Sequence, residues 1–318
     1  MQIVFLDLAS VDSGDLDQHC LQQVAGQWQL HAHTELEQIR VRIAAADVVV
    51  TNKVPLTAEL INAAPNLKLI CVAATGTNNV DLVAARRRGI PVCNARAYAT
   101  PSVVQHVFCL LLMLLRRIPQ YTQAVQTGLW QLSPQFCLLD FPIEELTGKR
   151  LGIVGYGELG RAVAHVAKAF GMPVLIAQRE SAVPQTDRVP LAELLTQVDI
   201  LSLHCPLTEH NRHMIGKTQL ALMKPGAILI NTARGGLVEE AALLESLSAR
   251  HLGGAGIDVL AIEPPEADNV LLAARLPNLI ITPHIAWASR QARQRLLQEV
   301  IDNILGFVEG QPRHVVNH

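Results

Sequence analysis

Short apolar runs alternate with helix-spaced stretches along most of the 318-residue chain. In the first third the apolar runs are 3–8, 47–51, 67–73 and 91–94, and they read as strands. Between them 36–46, 57–64 and 80–88 carry helical spacing. Continuous apolar runs of this length suit strands covered on both faces, and helices between them complete a βαβ rhythm. From Lys149 a second block repeats the rhythm, with strands expected at 151–154, 174–177, 200–204, 227–231, 256–259 and 279–282. Turn signals such as Lys224-Pro225-Gly226 and Leu276-Pro277-Asn278 separate them. The pattern predicts two α/β domains, each built on a doubly wound parallel sheet.

Two helices stand apart. The stretch 103–115 is apolar all round, which predicts burial between domains or against a second subunit. Near the end, Ala292, Leu296, Leu297, Val300, Ile301, Ile304 and Leu305 repeat at three- and four-residue spacing, the mark of one buried face. That helix follows the last strand of the second block and is placed to close the chain back onto the first.

Composition narrows the class. The charge balance of 26 Lys and Arg against 28 Asp and Glu excludes the basic footprint of a nucleic-acid binder. The longest apolar run, 107–115, falls far short of the roughly twenty residues of a membrane span. The start, Met1 to Asp7, has no basic region and meets an acid early, so it reads as a strand and not a signal peptide. The six cysteines form no C-x-x-C pair and no Cys/His set has zinc-ligand spacing, so no metal is expected. Free thiols suit a reducing cytoplasm.

Gly155-Tyr156-Gly157-Glu158-Leu159-Gly160 follows one expected strand and opens a helix. Gly155 permits a tight turn, Gly157 lets a pyrophosphate approach the backbone, and Gly160 lets helix and strand pack closely. Free N–H groups and the positive dipole end then face the phosphates, with Glu158 and Leu159 in the first turn. This is a dinucleotide-binding fingerprint. A site for NAD usually places an acid about twenty residues on, to hold the ribose. Here the second strand ends in Gln178-Arg179, and the next acid is Glu180. Losing the carboxylate removes repulsion against a 2′-phosphate and Arg179 offers a guanidinium, which tilts NAD(P)(H) use toward NADP(H).

Three polar residues stand beyond apolar strand ends: Arg234, Glu263 and His284. Ligands of open parallel sheets bind outside the carboxyl ends of the strands, so all three point to the cofactor's crevice. Their types suit orienting a carboxylate, tuning an imidazole and transferring a proton.

With these motifs the chain resembles the D-isomer-specific 2-hydroxyacid dehydrogenase family, most closely its glycerate dehydrogenase (hydroxypyruvate reductase) branch. The resemblance covers nearly the whole chain. It rests on the motif that opens Ala73-Ala74-Thr75-Gly76, the glycine fingerprint, His204-Cys205-Pro206-Leu207-Thr208, Asn231-Thr232-Ala233-Arg234-Gly235 and Pro283-His284-Ile285-Ala286-Trp287, in that order. It implies a Rossmann cofactor domain (100–287) inserted in a flavodoxin-like substrate domain (1–99 plus 288–318), and a homodimer held around 103–115.

The resemblance also implies roles. Arg234 grips the carboxylate and carbonyl oxygen of a small 2-oxo acid with its planar fork, and the Thr75 and Gly76 N–H groups hold the other carboxylate oxygen. His284 exchanges the proton, and Glu263 beside it favours the protonated imidazole. Asp258 partners the nicotinamide amide, although a buried carboxylate that organises its own loop is the alternative. Pro206 and Leu207 flank the adenine, and Thr232 and Ala233 lie near the nicotinamide ribose. Lys53 and the Arg86-Arg87-Arg88 run read as solvated, and Trp130, Phe136 and Trp287 as core aromatics.

The implied activity is reduction of hydroxypyruvate to D-glycerate and of glyoxylate to glycolate. Another dehydrogenase of this family, acting on 2-ketogluconate, phosphoglycerate or phosphite, remains open at this point. So does a dinucleotide-sensing protein like the corepressors that share the fold.

Overall fold

The computed structural model describes residues 1–179 and 186–318, so Glu180 lies outside the described residues. The chain divides into two compact units, Met1–Ala99 with Trp287–His318, and Thr100–Ala286. Trp287 belongs to the first unit and not, as expected, to the second. Its ring packs edge-on against Tyr98, with centroids 6.3 Å apart.

The first unit is a five-stranded parallel sheet in the order β2-β1-β3-β4-β5. Its strands are β1 (Gln2–Phe5), β2 (Gln27–Leu30), β3 (Val48–Thr51), β4 (Leu69–Val72) and β5 (Val92–Asn94). This is the flavodoxin-like order. The three strands β3 to β5 are buried throughout, which explains their unbroken apolar runs. The edge strand β2 was not legible: Gln-Trp-Gln-Leu exposes all but Trp28 and has no buried face to imprint a period. β1 stops earlier than its apolar run, and just beyond it the Asp7 carboxylate accepts the N–H groups of Asn52, Lys53 and Val54 in the loop after β3.

The helix Arg290–Val308 covers this sheet with the face that spacing foretold, including Leu296, Leu297, Val300, Ile301 and Ile304. Its buried Asn303 donates to Asn94 O (2.9 Å). Beyond it the chain shields the β5 edge, with Asn94 N–H donating to His314 O and Val316 N–H to Val92 O. Arg88 is not the solvated helix end expected from its run. Its guanidinium donates to Ile61 O and Ala64 O, closing the helix Ala58–Ala63.

The second unit is a six-stranded parallel sheet in the order β11-β10-β9-β8-β6-β7. Its strands are β6 (Leu151–Val154), β7 (Val174–Ile176), β8 (Ile200–Leu203), β9 (Ile228–Asn231), β10 (Gly254–Ile257) and β11 (Leu279–Ile281). A parallel bridge from Ala177 to Val189 lengthens the β7 edge, so the segment at Val189 takes the third place of a Rossmann half. The strand order reverses between β6 and β8, which fixes the switch point where such sheets bind ligands. The helix Thr100–Leu115 lies on this sheet through Val103, Val107, Leu110, Leu111 and Leu114. It is not buried all round, since Cys109 is exposed and Leu112 and Met113 are half-buried. Trp130 and Phe136 are likewise exposed, contrary to their reading as core.

Candidate active site at the carboxyl ends of the second sheet

The glycine-rich turn leaves β6 at the switch point. Gly155 has φ +94°, and a Cβ there would strike the backbone of His204 and Cys205. A Cβ on Gly160 would overlap the Gly155 carbonyl oxygen, so the helix Glu158–Ala169 can approach its strand only with glycine here. Gly157 differs, because nothing lies within 4 Å of where its Cβ would be. It is the N-cap of that helix and supplies no side-chain cap, so open space and uncapped N–H groups coincide. Glu158 is exposed, held by the Thr100 hydroxyl, and Leu159 is half-buried.

At the end of β7, Gln178 N–H donates to Val189 O (2.7 Å), and the Gln178 amide donates to Arg179 O (3.2 Å). Arg179 is exposed. Arg188, beside Val189, lays its guanidinium over the Tyr156 ring at 4.7 Å. Gln178 and Arg179 thus flank the fingerprint where a ribose-binding acid would stand.

After β8 the chain passes under the glycine turn. His204 is bonded to Ser202 Oγ (2.8 Å), and burial pushes its imidazole down to about 4. Pro206 is exposed, and its carbonyl accepts from the Asn211 amide (2.8 Å), while Leu207 packs on the sheet's core.

The loop after β9 is braced by a residue that sequence reasoning passed over. Buried Asn231 accepts the Ala233 N–H (3.0 Å) and donates to Arg234 O (2.9 Å). Its place ahead of a glycine-ended polar loop was the available signal, since Asn side chains commonly bond backbone two residues on. Thr232 and Ala233 are half-buried, and Thr232 Oγ1 is buried without a hydrogen-bond partner among the described residues. Arg234 is half-buried, with one Nη donating to Ala233 O (2.6 Å). The next residue, Gly235, lies so close to Leu260 and Ala261 that no Cβ would fit. That contact sets the Arg234 loop against the loop carrying Glu263.

Glu263 accepts the Leu260 N–H (2.9 Å) with one oxygen and faces His284 Nδ1 at 2.6 Å with the other. His284 sits in the left-handed region, at φ +54°, an unusual place for a residue with a Cβ. Asp258 holds it there. The Asp258 carboxylate accepts the N–H groups of Ile285 and Ala286 (2.9 Å each) and the Thr282 hydroxyl (2.6 Å). Its carbonyl accepts the His284 N–H (2.8 Å). Asp258 thus braces the loop that carries His284, 24 to 28 residues on, and not the loop it opens itself.

Thr75 and Gly76 belong to the first unit, just beyond β4. Asn94 donates to Thr75 O (2.7 Å), and Thr75 Oγ1 donates to Ala95 O (3.0 Å). Their own N–H groups donate to no acceptor among the described residues.

These features fit a dinucleotide. The open space at Gly157 and the uncapped helix end lie at the carboxyl end of β6, and the Thr232 hydroxyl at that of β9, with β8 between them. Among the described residues no single helix is long and apolar enough to cross a membrane.

Comparison with known proteins agrees with this geometry. The model of the D-isomer specific 2-hydroxyacid dehydrogenase, NAD binding domain, matches residues 108–286. The chain is 46% identical to a glycerate dehydrogenase of Methylorubrum extorquens, covering 99% of this chain and 98% of that protein. It is 39% identical to a hydroxypyruvate reductase of Blautia hydrogenotrophica, covering all of both. Its fold is similar to that of the acyclic imino acid reductase Bsp5 in complex with NADPH and D-Arg, at a TM-score of 0.88 and 28% identity over 99% of this chain and 100% of that one. Fold, fingerprint and relatives lead to one statement: the chain belongs to the D-isomer-specific 2-hydroxyacid dehydrogenase family.

Proposed function

We propose that the chain reduces hydroxypyruvate to D-glycerate, and glyoxylate to glycolate, at the site built on Arg234, Glu263 and His284. The observation that carries the reading is the His284–Glu263 contact of 2.6 Å at the carboxyl end of the sheet that bears the dinucleotide fingerprint. With Nδ1 turned to the carboxylate, Nε2 is the nitrogen that exchanges a proton with the substrate oxygen. A bound nicotinamide dinucleotide supplies or accepts the hydride. Arg234 aligns the substrate carboxylate and carbonyl through its fork. In the first unit, the Thr75 and Gly76 N–H groups, without an acceptor among the described residues, are donors of the kind a carboxylate oxygen takes. Glu263, 2.6 Å from Nδ1, fixes the orientation and the tautomer of the imidazole.

Gly155, Gly157, Glu158, Leu159 and Gly160 would hold the pyrophosphate. Pro206 would border the adenine, Thr232 and Ala233 the nicotinamide ribose, and Asp258 the nicotinamide amide. Gln178 and Arg179 favour NADP(H), because no carboxylate at position 178 repels a 2′-phosphate. We also propose a homodimer and a cytoplasmic location. The dimer is supported by exposed apolar side chains along 118–143 next to the open face of the helix Thr100–Leu115. All six cysteines are free thiols, which suits the cytoplasm.

Initial rates with hydroxypyruvate, glyoxylate, pyruvate and 2-ketogluconate, each with NADPH and NADH, test the proposal. Hydroxypyruvate is expected to have the highest kcat/KM, with NADPH ahead of NADH. A faster rate on pyruvate or 2-ketogluconate would reassign the substrate, and an NADH preference would reassign the cofactor.

A further inference from the structure

We infer that Ser102 and His106, on the helix Thr100–Leu115, are positioning residues that hold the catalytic histidine's loop in its working conformation. The inference rests on the reading of His284 as the proton donor. The two residues are four apart, so they share one face of the helix. Ser102 Oγ donates to Ala286 O (2.7 Å), and His106 Nε2 lies 2.9 Å from Thr282 Oγ1. They thus grip the first and last residues of the segment 282–286, with His284 at its centre.

The direction of these bonds follows from the hydroxyl between them. Thr282 gives its only hydroxyl proton to Asp258 Oδ1 at 2.6 Å, leaving a lone pair toward His106. His106 Nε2 therefore carries hydrogen and donates. The same nitrogen is 3.5 Å from Asp258 Oδ1, and the two side chains are only 16% and 1% exposed. A buried carboxylate needs compensating donors. Here they are the Thr282 hydroxyl, two loop N–H groups and, at longer range, His106.

The left-handed backbone of His284 has to be imposed from outside, since a lone loop would relax toward commoner angles. The helix is a rigid base for that constraint, anchored on the sheet by its apolar residues. Polar side chains on such a helix are tolerated where they find partners, and these two find theirs in the loop. Loosening the grip lets Nε2 wander from the substrate oxygen, a loss felt in the chemical step and not in binding.

The test compares His106→Leu, which keeps bulk without a donor, with His106→Gln, whose amide N–H reaches a similar point. The Leu variant is expected to lose at least tenfold in kcat while KM for 2-oxo acid and cofactor stays within twofold. Amide hydrogen exchange at Ile285 and Ala286 is expected to speed up, and the Gln variant to recover most of both. A Leu variant with kcat within twofold of the parent, or a loss that Gln does not restore, would overturn the inference. Ser102→Ala removes one hydroxyl and guards against a His106→Leu protein that does not fold. It should speed exchange at Ala286 and lower kcat about threefold, and no change in either also overturns the inference. His284→Gln serves as the separating control. Turnover close to the parent's would remove His284 as proton donor, whereas exchange in the other variants still reports whether the helix holds the loop.

Discussion

At His284 the two ring nitrogens have different employment. Nδ1 faces Glu263 at 2.6 Å, so in the proposed reaction the proton passes through Nε2, and an alanine there removes that donor without touching the glycine-rich turn. His284→Ala should lower kcat by on the order of 10³-fold. Cofactor titration by fluorescence should show an unchanged Kd, and near-normal turnover would refute the proton-transfer role. Gln178 carries a different kind of argument, one of missing repulsion. Gln178→Asp should move the NADPH/NADH ratio of kcat/KM at least tenfold toward NADH, while an unmoved ratio would take this position out of cofactor choice. His204 has a consequence for acid stability. Burial holds its imidazole at about 4 against 6.5 when free, so between those values the unfolded chain takes up a proton that the folded chain refuses. Stability from this residue is complete above about pH 6.5, falls as the pH drops through that window and levels off below about 4, a loss on the order of 3 kcal/mol. Urea midpoints at pH 7.5 and 4.5 should therefore shift more in the parent than in His204→Gln, and equal shifts would place the acid sensitivity elsewhere.

Among the elements, the turn and helix after β6 show how a short motif dictates packing. Gly160 faces the Gly155 carbonyl with no room for a methyl group. Gly160→Ala should cost about 1–3 kcal/mol by overpacking and push the helix end off the phosphate position. The urea midpoint and the cofactor Kd should worsen together, and an unchanged midpoint would mean that the helix withdraws freely. β2 hides from periodicity because one edge strand with a single half-buried residue has no face to pattern. Arg88 looked like one of three solvated charges, yet it closes a neighbouring helix through Ile61 O and Ala64 O, a partnership 24 to 27 residues away in sequence.

For the whole molecule, the exposed apolar side chains of the second unit concentrate in one stretch, with Leu132, Phe136 and Leu139 at 80%, 91% and 73%. Apolar exposure of this density marks an interaction surface. Sedimentation should show a dimer, and Leu132→Asp with Phe136→Asp should yield a monomer; a monomeric parent would contradict the proposal. Residue pattern alone is enough for the parallel-sheet architecture, the dinucleotide turn and the choice of Arg234, Glu263 and His284 as candidates. Those depend on local rules: unbroken apolar runs, glycines at set spacing, and polar residues stationed just past strand ends. That Asp258 braces the His284 loop, that Asn231 locks the Arg234 loop, and that Ser102 and His106 reach the His284 loop from a helix 176 to 184 residues earlier emerges only once the chain is folded. Hydrogen bonds between distant segments leave no period in the chain. They arise only when the sheet has set the strand ends side by side and buried polar atoms must find partners there.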